Sequence, residues 1–189
     1  MINALKKRYF MYVIHSNNEK RKEKILRRHI AHLGSNSRIY SDQFGAEPYL
    51  LWIGNNVIVA SGVRFIEHDA SYYNMYRVLN EKADIKGEKM GAIILEDNCF
   101  VGAGSIVLGG TKIGENSVIA AGAVVHGIVP PNEVWGGVPA KYIMSVEEYS
   151  KKLKKMTEQL PWINDSVLDK KDLIKERQNY YFLKLNKKI

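Results

Sequence analysis

This chain of 189 residues has one cysteine, Cys99, and no long apolar run. A single cysteine excludes a disulfide framework and a cluster of thiolate metal ligands. No apolar run approaches the roughly 20 residues that span a bilayer. The first residues hold only a short apolar patch and no small-residue cleavage site, which is not typical of a signal peptide. Together these absences predict a cytoplasmic protein.

Basic residues outnumber acidic residues at the two ends of the chain. Lys and Arg number 28 against 20 Asp and Glu, which gives a net charge of +8. Residues 1–40 contribute +8, residues 41–144 contribute −4 and residues 145–189 contribute +4. Solvated helix faces are the simplest explanation, although a peripheral contact with an anionic membrane surface stays open. Nucleic acid is not expected as a partner, because the chain has no RNA-binding motif and no interleaving of aromatic and basic residues.

What the sequence does have is a repeat of six residues. From position 95 it reads LEDNCF, VGAGSI, VLGGTK, IGENSV, IAAGAV and VHGIVP, and an earlier block reads IGNNVI, VASGVR and FIEHDA. A branched apolar residue or Phe holds the first position of each hexad, and the fifth position is mostly small or medium-sized. Neither the 3.6-residue period of a helix nor the 2-residue period of a strand explains this pattern.

A period of six predicts short strands separated by sharp corners, with one apolar side chain per strand pointing inward. Three hexads close a triangular coil of about 18 residues, and stacked coils form a parallel β-helix. Gly and Asn stand where corners require a positive φ, as at Asn55, Asn56, Asn98 and Asn116. The small fifth-position residues are expected to pack at the corners.

Four motifs resemble the hexapeptide-repeat acetyltransferases, within them the enzymes that modify sugars and polysaccharides. The motifs are FGAEPYLLWIGNNV, VRFIEHDAS, GENSVIAAGAVV and VPPNEVWGGVPAKYI, which together cover about residues 38–144. The resemblance implies a mainly β fold, a left-handed parallel β-helix with one extruded loop. It also implies an acetyltransferase that uses acetyl-CoA without a metal and assembles as a homotrimer with sites between subunits.

Helices are expected on both sides of the repeat. Residues 1–37 are predicted as an N-terminal helical segment, with one helix over about 19–33 that stops at Gly34. The β-helix is predicted over 38–144, and residues 145–189 form a C-terminal helical extension. Ser145 and Glu148 form a capping box for its first helix, which Pro161 ends, and a second helix covers about 166–185. The terminal helices are expected to cover the ends of the β-helix or to pack along it.

His68 is the predicted catalytic base. It stands where the repeat is interrupted by about residues 69–91, and insertions in a stacked repeat usually lie on the binding face. An imidazole can accept a proton from an attacking hydroxyl near neutral pH and return it to a leaving thiolate. The resemblance places the catalytic histidine of the family at the same position. Asp69 or Glu67 could orient the ring, although adjacency in sequence does not establish contact.

Cys99 is not expected to act as a nucleophile. It holds a fifth position of the repeat, where Ser, Thr or Ala stand in other hexads, so it is expected to be a buried small side chain. The proposed chemistry is instead direct attack of the acceptor on acetyl-CoA, with a backbone N–H holding the oxyanion.

The resemblance also assigns residues to CoA. Ala103 and Ala121 match positions where small residues let the pantetheine arm pair with backbone. His126 replaces a residue that is usually Thr in the family, so it either changes a CoA contact or is a turn residue. Lys141 suits a phosphate contact, and Trp135 either stacks on adenine or packs in the protein.

The acceptor is expected to be a hydroxyl of a sugar, a glycan or a nucleotide sugar. Aromatic and polar side chains of the insertion could flank it, namely Tyr72, Tyr73, Asn74 and Arg77. An amine acceptor, such as an amino sugar, is the alternative. Two other classes are weaker. A zinc hydratase of the γ-carbonic-anhydrase type needs three histidine ligands, and only His68 and His126 lie in the repeat. A binding scaffold without catalysis lacks a supporting motif.

Overall fold

The computed structural model describes residues 18–78, 89–163 and 169–186. The chain divides into two compact units, Met1–Val146 and Glu147–Ile189. Within the described residues, no helix is both long and apolar enough to cross a membrane.

The first unit is a parallel β-helix. Successive strands fall in turn on three sheets, so the chain coils around a common axis. The strands are β1 His32–Leu33, β2 Arg38–Ile39, β3 Leu51–Ile53, β4 Ile58–Val59, β5 Arg64–Ile66, β6 His68–Asp69, β7 Lys89–Met90, β8 Ile93–Leu95, β9 Phe100–Val101, β10 Ile106–Leu108, β11 Thr111–Ile113, β12 Val118–Ile119, β13 Val124–Val125, β14 Ile128–Val129, β15 Glu133–Gly136 and β16 Lys141–Ser145. Sheet A has the order β1-β3-β8-β11-β14, sheet B has the order β16-β15-β12-β9-β4-β2, and sheet C has the order β13-β10-β5.

The six-residue pattern was interpreted correctly. Every first-position residue lies in the core with at most 1% of its surface exposed: Ile53, Val59, Phe65, Leu95, Val101, Val107, Ile113, Ile119 and Val125. The fifth positions are equally buried at Val57, Val63, Cys99, Ser105, Thr111, Ser117, Ala123 and Val129. Thr111 pairs with Ile93 and Val124 pairs with Ile106, so one coil takes 18 residues, as predicted.

The corner between sheets A and B carries a ladder of asparagines. Asn36, Asn56, Asn98, Asn116 and Asn132 all have φ between 54° and 63°. Each side-chain amide donates to the carbonyl oxygen of the next asparagine at 2.9 to 3.1 Å. Asn tolerates the left-handed region better than other non-glycine residues, and the ladder satisfies its amide. The prediction of positive φ was wrong for Asn55, whose side chain instead hydrogen-bonds Asp97.

The insertion leaves and returns at the corner between sheets C and A. Its two ends form an antiparallel pair, in which β6 lies beside β7 with His68 opposite Met90. A short helix, α2, covers Tyr72–Val78. Strand β5, which precedes the insertion, pairs with β10, the next strand of sheet C along the chain, with Phe65 opposite Val107. The regular coil therefore resumes in register after the insertion. The centre of the predicted insertion, residues 79–88, lies outside the described residues.

The N-terminal helix is shorter than predicted. Helix α1 covers Glu19–His29, and Asn18 accepts a hydrogen bond from the Arg21 amide as its N-cap. The predicted continuation to residue 33 was wrong, because His32–Leu33 is already strand β1 and pairs with β3. The parallel coil therefore begins before residue 38. Ile25, Leu26 and Ile30 are buried in one cluster with the β-helix core, as a cover for its first coil requires.

The last coil ends in an antiparallel hairpin. Strand β16 runs back along β15, with Trp135 opposite Tyr142 and Gly136 opposite Lys141. Helix α3, Val146–Glu158, begins directly after Ser145 and ends before Pro161, as predicted, while the capping box itself stays a prediction. Helix α4 covers Lys170–Asn186. That the C-terminal helices cover an end of the β-helix stays a prediction.

Candidate functional site

A pocket of about 570 Å³ lies at the corner between sheets C and A, where the insertion leaves the coil. Three parts of the chain build it: the exit at residues 66–70, the return at residues 89–91 and the corners of the next two coils. Its lining residues are Ile66, Glu67, His68, Asp69, Ala70, Lys89, Met90, Gly91, Leu108, Gly109, Gly110 and His126. The predicted base therefore lies in a concave site with a second imidazole.

His68 is half-buried on β6. Its Nε2 atom is buried and has no hydrogen-bond partner among the described residues. The ring stacks with that of Tyr72, with 6.2 Å between centroids and 24° between planes. The imidazole is thus held on one side by an aromatic ring and lines the pocket.

Asp69 is committed to other groups. Its Oδ2 lies 2.6 Å from the Lys89 ammonium, and its Oδ1 accepts a hydrogen bond of 2.9 Å from the Ser71 amide. The hydrogen bond from Lys89 and then that from Ser71 lower the pKa of Asp69 to about 2. Among the described residues, the hydrogen bonds of the Asp69 carboxylate go to Lys89 and Ser71, so a role for Asp69 in orienting the His68 ring stays a prediction.

Glu67 is the buried acid of this site. Only 1% of its surface is exposed, and neither carboxyl oxygen has a hydrogen-bond partner of good geometry among the described residues. The carboxyl lies against Gly45, where a Cβ atom would stand 1.9 Å from Oε2. Burial raises the pKa of Glu67, and the nearby charge of Glu47 raises it further, against an opposing effect of neighbouring backbone amides.

His126 lies two coils along the axis from His68. Its strand β13 pairs with β10, which pairs with β5, so the two histidines are about 10 Å apart along the axis at the usual strand spacing. Gly109 and Gly110 form the corner between them. A Cβ atom on Gly110 would lie 3.7 Å from Nε2 of His126. The structure thus places His126 in the same pocket as the candidate base, two coils away from it.

Of the predicted CoA residues, His126 lines the pocket with His68, whereas Ala103 and Ala121 lie on another edge of the β-helix. Ala103 and Ala121 stand one above the other at the corner between sheets B and C, where the Gly122 amide donates to the Ala103 carbonyl at 2.9 Å. Both are exposed. Strands of sheet C separate this alanine corner from the histidine corner. Within one chain, the two halves of the predicted site therefore lie on adjacent corners.

Trp135 and Lys141 belong to the hairpin that ends the coil. Trp135 is half-buried and packs against the core, and its indole N–H donates to Glu133 at 2.6 Å. Lys141 is exposed at the start of β16. The indole is fixed by the protein, while Lys141 is accessible to an anion.

The four predicted acceptor residues all lie on helix α2. Tyr72 lies over His68, and its ring also contacts that of Tyr76 edge-on, with 6.1 Å between centroids. Tyr73, Asn74 and Arg77 are exposed. The structure therefore joins Tyr72 to the candidate base through a ring contact, and none of the four is among the residues that line the pocket.

Cys99 is buried in the coil, with 1% of its surface exposed, and its Sγ lies 3.1 Å from the Gly114 carbonyl oxygen. Burial raises the pKa of this thiol to about 12. A thiol with this pKa is protonated at neutral pH and is not a nucleophile. Over the described residues, no group of three or more His, Cys, Asp or Glu side chains could hold a metal ion.

Two features of the site were missed at the level of sequence. The first is the ion pair between Lys89 and Asp69, which joins the two ends of the insertion. The presence of a basic residue just before the repeat resumes could have indicated it. The second is the burial of Glu67, for which the hexad pattern gave no signal, since the same position holds exposed Glu115 in a later coil.

Comparison with known proteins agrees with this fold. A family model described as the hexapeptide repeat of succinyl-transferase matches residues 92–126. Protein CapG of Staphylococcus aureus is 36% identical over 110 residues, 58% of this chain and 61% of that protein. A 2,3,4,5-tetrahydropyridine-2,6-dicarboxylate N-acetyltransferase of Clostridium perfringens is 50% identical over 58 residues, 31% of this chain and 25% of that protein.

Among solved structures, galactoside acetyltransferase in complex with coenzyme A has the same fold. The TM-score is 0.56 at 20% sequence identity, and the match covers 78% of this chain and 82% of that chain. The chain spans less than two thirds of the length of the curated relatives named above. The chain therefore has the hexapeptide-repeat β-helix fold, and it resembles acetyltransferases that carry this repeat.

Proposed function

We propose that this protein transfers an acetyl group from acetyl-CoA to a hydroxyl of a sugar, with His68 as general base. The observation that carries the proposal is the pocket at the insertion, which His68 lines together with His126. The fold shared with galactoside acetyltransferase supports a sugar as the substrate class. The proposal also includes a left-handed β-helix. It places the protein in the cytoplasm, where acetyl-CoA is available.

The reaction is a direct attack within a ternary complex. His68 accepts the proton of the sugar hydroxyl while the hydroxyl oxygen bonds to the thioester carbonyl carbon. The tetrahedral oxyanion collapses, the carbon–sulfur bond breaks, and the imidazolium returns the proton to the CoA thiolate. Cys99 takes no part, because its thiol is buried and protonated.

The assembly is a homotrimer with the active site between neighbouring copies. Two observations support this. Ala103 and Ala121 lie on one corner of the β-helix, whereas His68 and His126 lie on the next, with sheet C between them. One CoA molecule can contact both the small residues and the base if the alanine corner of one copy faces the histidine corner of another. Trp135 and Lys141 are assigned to the adenine and phosphate end.

An amine acceptor is the second candidate. The observation that favours it is the identity of 50% over 58 residues to an N-acetyltransferase of Clostridium perfringens. The same base can serve an amine, so the choice between the two depends on the acceptor rather than on the position of His68.

The test is thiol release from acetyl-CoA across sugars, amino sugars and nucleotide sugars. We expect His68→Ala to lose at least about 100-fold in rate, the usual effect of removing a general base. His32→Ala is the matched control, because His32 stacks on Trp52 on the outer face of sheet A. The proposal is wrong if His68→Ala retains full activity while Cys99→Ala loses it, or if no acceptor supports thiol release.

A further inference from the structure

Helix α4 carries a row of exposed apolar side chains that the proposed reaction does not use. Ile174, Tyr181 and Leu185 are seven and four positions apart, so they lie on one side of the helix. Their exposed fractions are 47%, 50% and 64%, and the adjoining Phe182 is 65% exposed. These four side chains are the apolar stripe. Contiguous exposed apolar residues on one face indicate a contact surface, whereas isolated ones are ordinary.

The stripe is distinct from the side of α4 that packs within its own unit. Trp162 is buried, and its ring meets that of Tyr180 edge-on, with 5.3 Å between centroids. The Arg177 guanidinium lies over the same indole, 5.7 Å from its centroid. Tyr181 reaches the indole as well, with 5.9 Å between ring centroids, yet half of its surface stays exposed. The contacts with Trp162 therefore fix the rotation of the helix and leave the stripe accessible.

The charges of α4 are sorted around the stripe. Basic residues three or four positions from a stripe residue lie along its edges. The residues at these positions are Lys170, Lys171, Arg177 and Lys184. The two acids of the helix, Asp172 and Glu176, stand two positions before and after Ile174. At about 3.6 residues per turn, this spacing puts them on the opposite side, so the stripe is bordered by positive charge only.

We propose that α4 is a docking surface for a lipid bilayer with anionic headgroups. Helices that lie in the plane of a membrane surface combine large apolar and aromatic side chains with flanking Lys and Arg. The apolar stripe enters the interface, while the flanking basic residues reach headgroup phosphates and keep their apolar stems beside the stripe. The inference goes beyond the proposed acetyl transfer and does not depend on it.

Charge complementarity favours this occupant over the same helix of a second copy. Residues 145–189 carry a net charge of +4, so two such helices would repel each other where their stripes met. An anionic bilayer instead attracts the basic residues beside the stripe, each of which typically strengthens binding about fivefold. Asp172 and Glu176 lie on the side away from the lipid, where repulsion by the headgroups is weakest.

The first test is sedimentation of the full chain with lipid vesicles. One set contains phosphatidylcholine alone, and the other contains phosphatidylcholine with about one third phosphatidylserine. We expect binding at least about tenfold tighter to the anionic vesicles, and weaker binding at high salt, since salt screens the headgroup charge. Equal binding to both sets, or binding to neither, overturns the proposal.

Two substitutions on α4 test which side of the helix meets the lipid. Leu185 and Leu183 are a matched pair, since they are 64% and 59% exposed. Leu185 belongs to the stripe, whereas Leu183 stands seven positions after Glu176, on the acidic side. We expect Leu185→Gln to weaken binding to anionic vesicles about fivefold, from lost apolar contact, and Leu183→Gln to stay within about twofold of the wild type. Equal losses, or a larger loss in Leu183→Gln, overturn the assignment of the stripe.

A pair of charge variants gives an independent comparison. Lys170→Gln/Lys171→Gln removes two charges beside the stripe, and Lys154→Gln/Lys155→Gln removes two exposed charges from α3. We expect binding at least about tenfold weaker for the first variant and less than about threefold weaker for the second. Equal losses would show that the basic surface as a whole attracts the lipid, and would overturn the role of α4. All four lysines are exposed, so this comparison holds even if Leu185→Gln does not fold.

Sedimentation velocity distinguishes the other occupant, a second copy of the chain. If Leu185→Gln lowers the oligomeric state, the stripe is a contact between copies and the proposal is wrong. An unchanged oligomeric state with weaker vesicle binding supports it. None of these measurements needs turnover, so a failure of acetyl transfer with every acceptor leaves them intact.

Discussion

The Lys89 ammonium lies 2.6 Å from Oδ2 of Asp69, and this pair joins the two ends of the insertion that carries the candidate base. The ends also form the antiparallel pair of β6 and β7, which is only two residues long on each strand. Both side chains of the ion pair are largely exposed, so its strength depends on ionic strength. The position of His68 therefore depends on a short ladder and one exposed ion pair.

Lys89→Met should loosen this junction. We expect amide hydrogen exchange of residues 68–69 and 89–90 to rise several-fold, with a smaller effect in high salt, because salt already screens the pair. Lys112→Met is the control, since it removes the ion pair with Glu96 inside the regular coil. The pKa of Asp69 is lowered from 3.8 to about 2. The wild-type ion pair should therefore keep its full strength at pH values above 3.8 and weaken as the pH falls from there towards 2. Equal exchange in the two variants would contradict this prediction.

Gly45→Ala should destabilise the first coil through Glu67. The new Cβ would lie 1.9 Å from Oε2 of Glu67 and 2.9 Å from the carbonyl oxygen of Phe65. We expect a loss of about 1–3 kcal/mol in the free energy of unfolding, the usual cost of overpacking, measured by urea denaturation.

The double variant Gly45→Ala/Glu67→Ala separates the two contacts. Because Glu67→Ala removes the side chain that clashes, the double variant should be more stable than Gly45→Ala alone. Additive losses in the cycle would show that the carboxyl does not occupy the space beside Gly45.

The asparagine ladder predicts a graded loss of stability. Asn98 has φ of 60°, accepts a hydrogen bond from Asn56 and donates one to Asn116. Asn98→Ala should cost about 2–3 kcal/mol, from strain in the left-handed region and the loss of two hydrogen bonds. Asn98→Gly, which tolerates this φ, should cost about 1–2 kcal/mol. Asn36→Ala loses only one ladder bond, and a loss there as large as for Asn98→Ala would contradict the prediction.

The sequence predicted the coil because its period is a direct consequence of the geometry. Each hexad places one branched side chain in the core, and so Val101, Ile113 and Ile119 could be assigned without a structure. The pocket at the insertion could be predicted for the same reason, since an interrupted repeat must leave the coil. The helical form of Tyr72–Val78 was not predicted, although the spacing of Tyr72 and Tyr76 on one face was a usable signal.

The electrostatics of the site could not be read from spacing. Glu67 and Asp69 stand directly before and after His68 in the sequence. Only the position of Lys89, at the other end of the insertion, determines that Asp69 is the carboxylate that forms an ion pair. Glu67 is buried because its carboxyl lies against Gly45, which is 22 positions away in the sequence. Such contacts follow from how separate coils stack, so a local pattern does not contain them.

Cys99 gives a prediction about pH and reactivity. Its pKa is raised by burial to about 12, above the ordinary value of 9.0. A raised folded-state pKa contributes stability that is fully present below about pH 9 and is lost as the pH rises towards 12. We expect a thiol reagent to leave the native protein unmodified at pH 8 and to react in urea, and Cys99→Ser to reduce the loss of stability above pH 9. Fast modification of the native protein would contradict the buried assignment.

Mixing two inactive variants tests whether the active site is shared between copies. His68→Ala removes the base from one corner, and Ala121→Trp is expected to block the alanine corner while leaving His68 intact. If each site uses the histidine corner of one copy and the alanine corner of its neighbour, co-expressed chains in a random trimer regain about one quarter of the wild-type sites. Separately purified variants that are mixed without exchange serve as the control. A site formed within one chain would give no recovery, because every chain in the mixture carries a defect in one of its two corners.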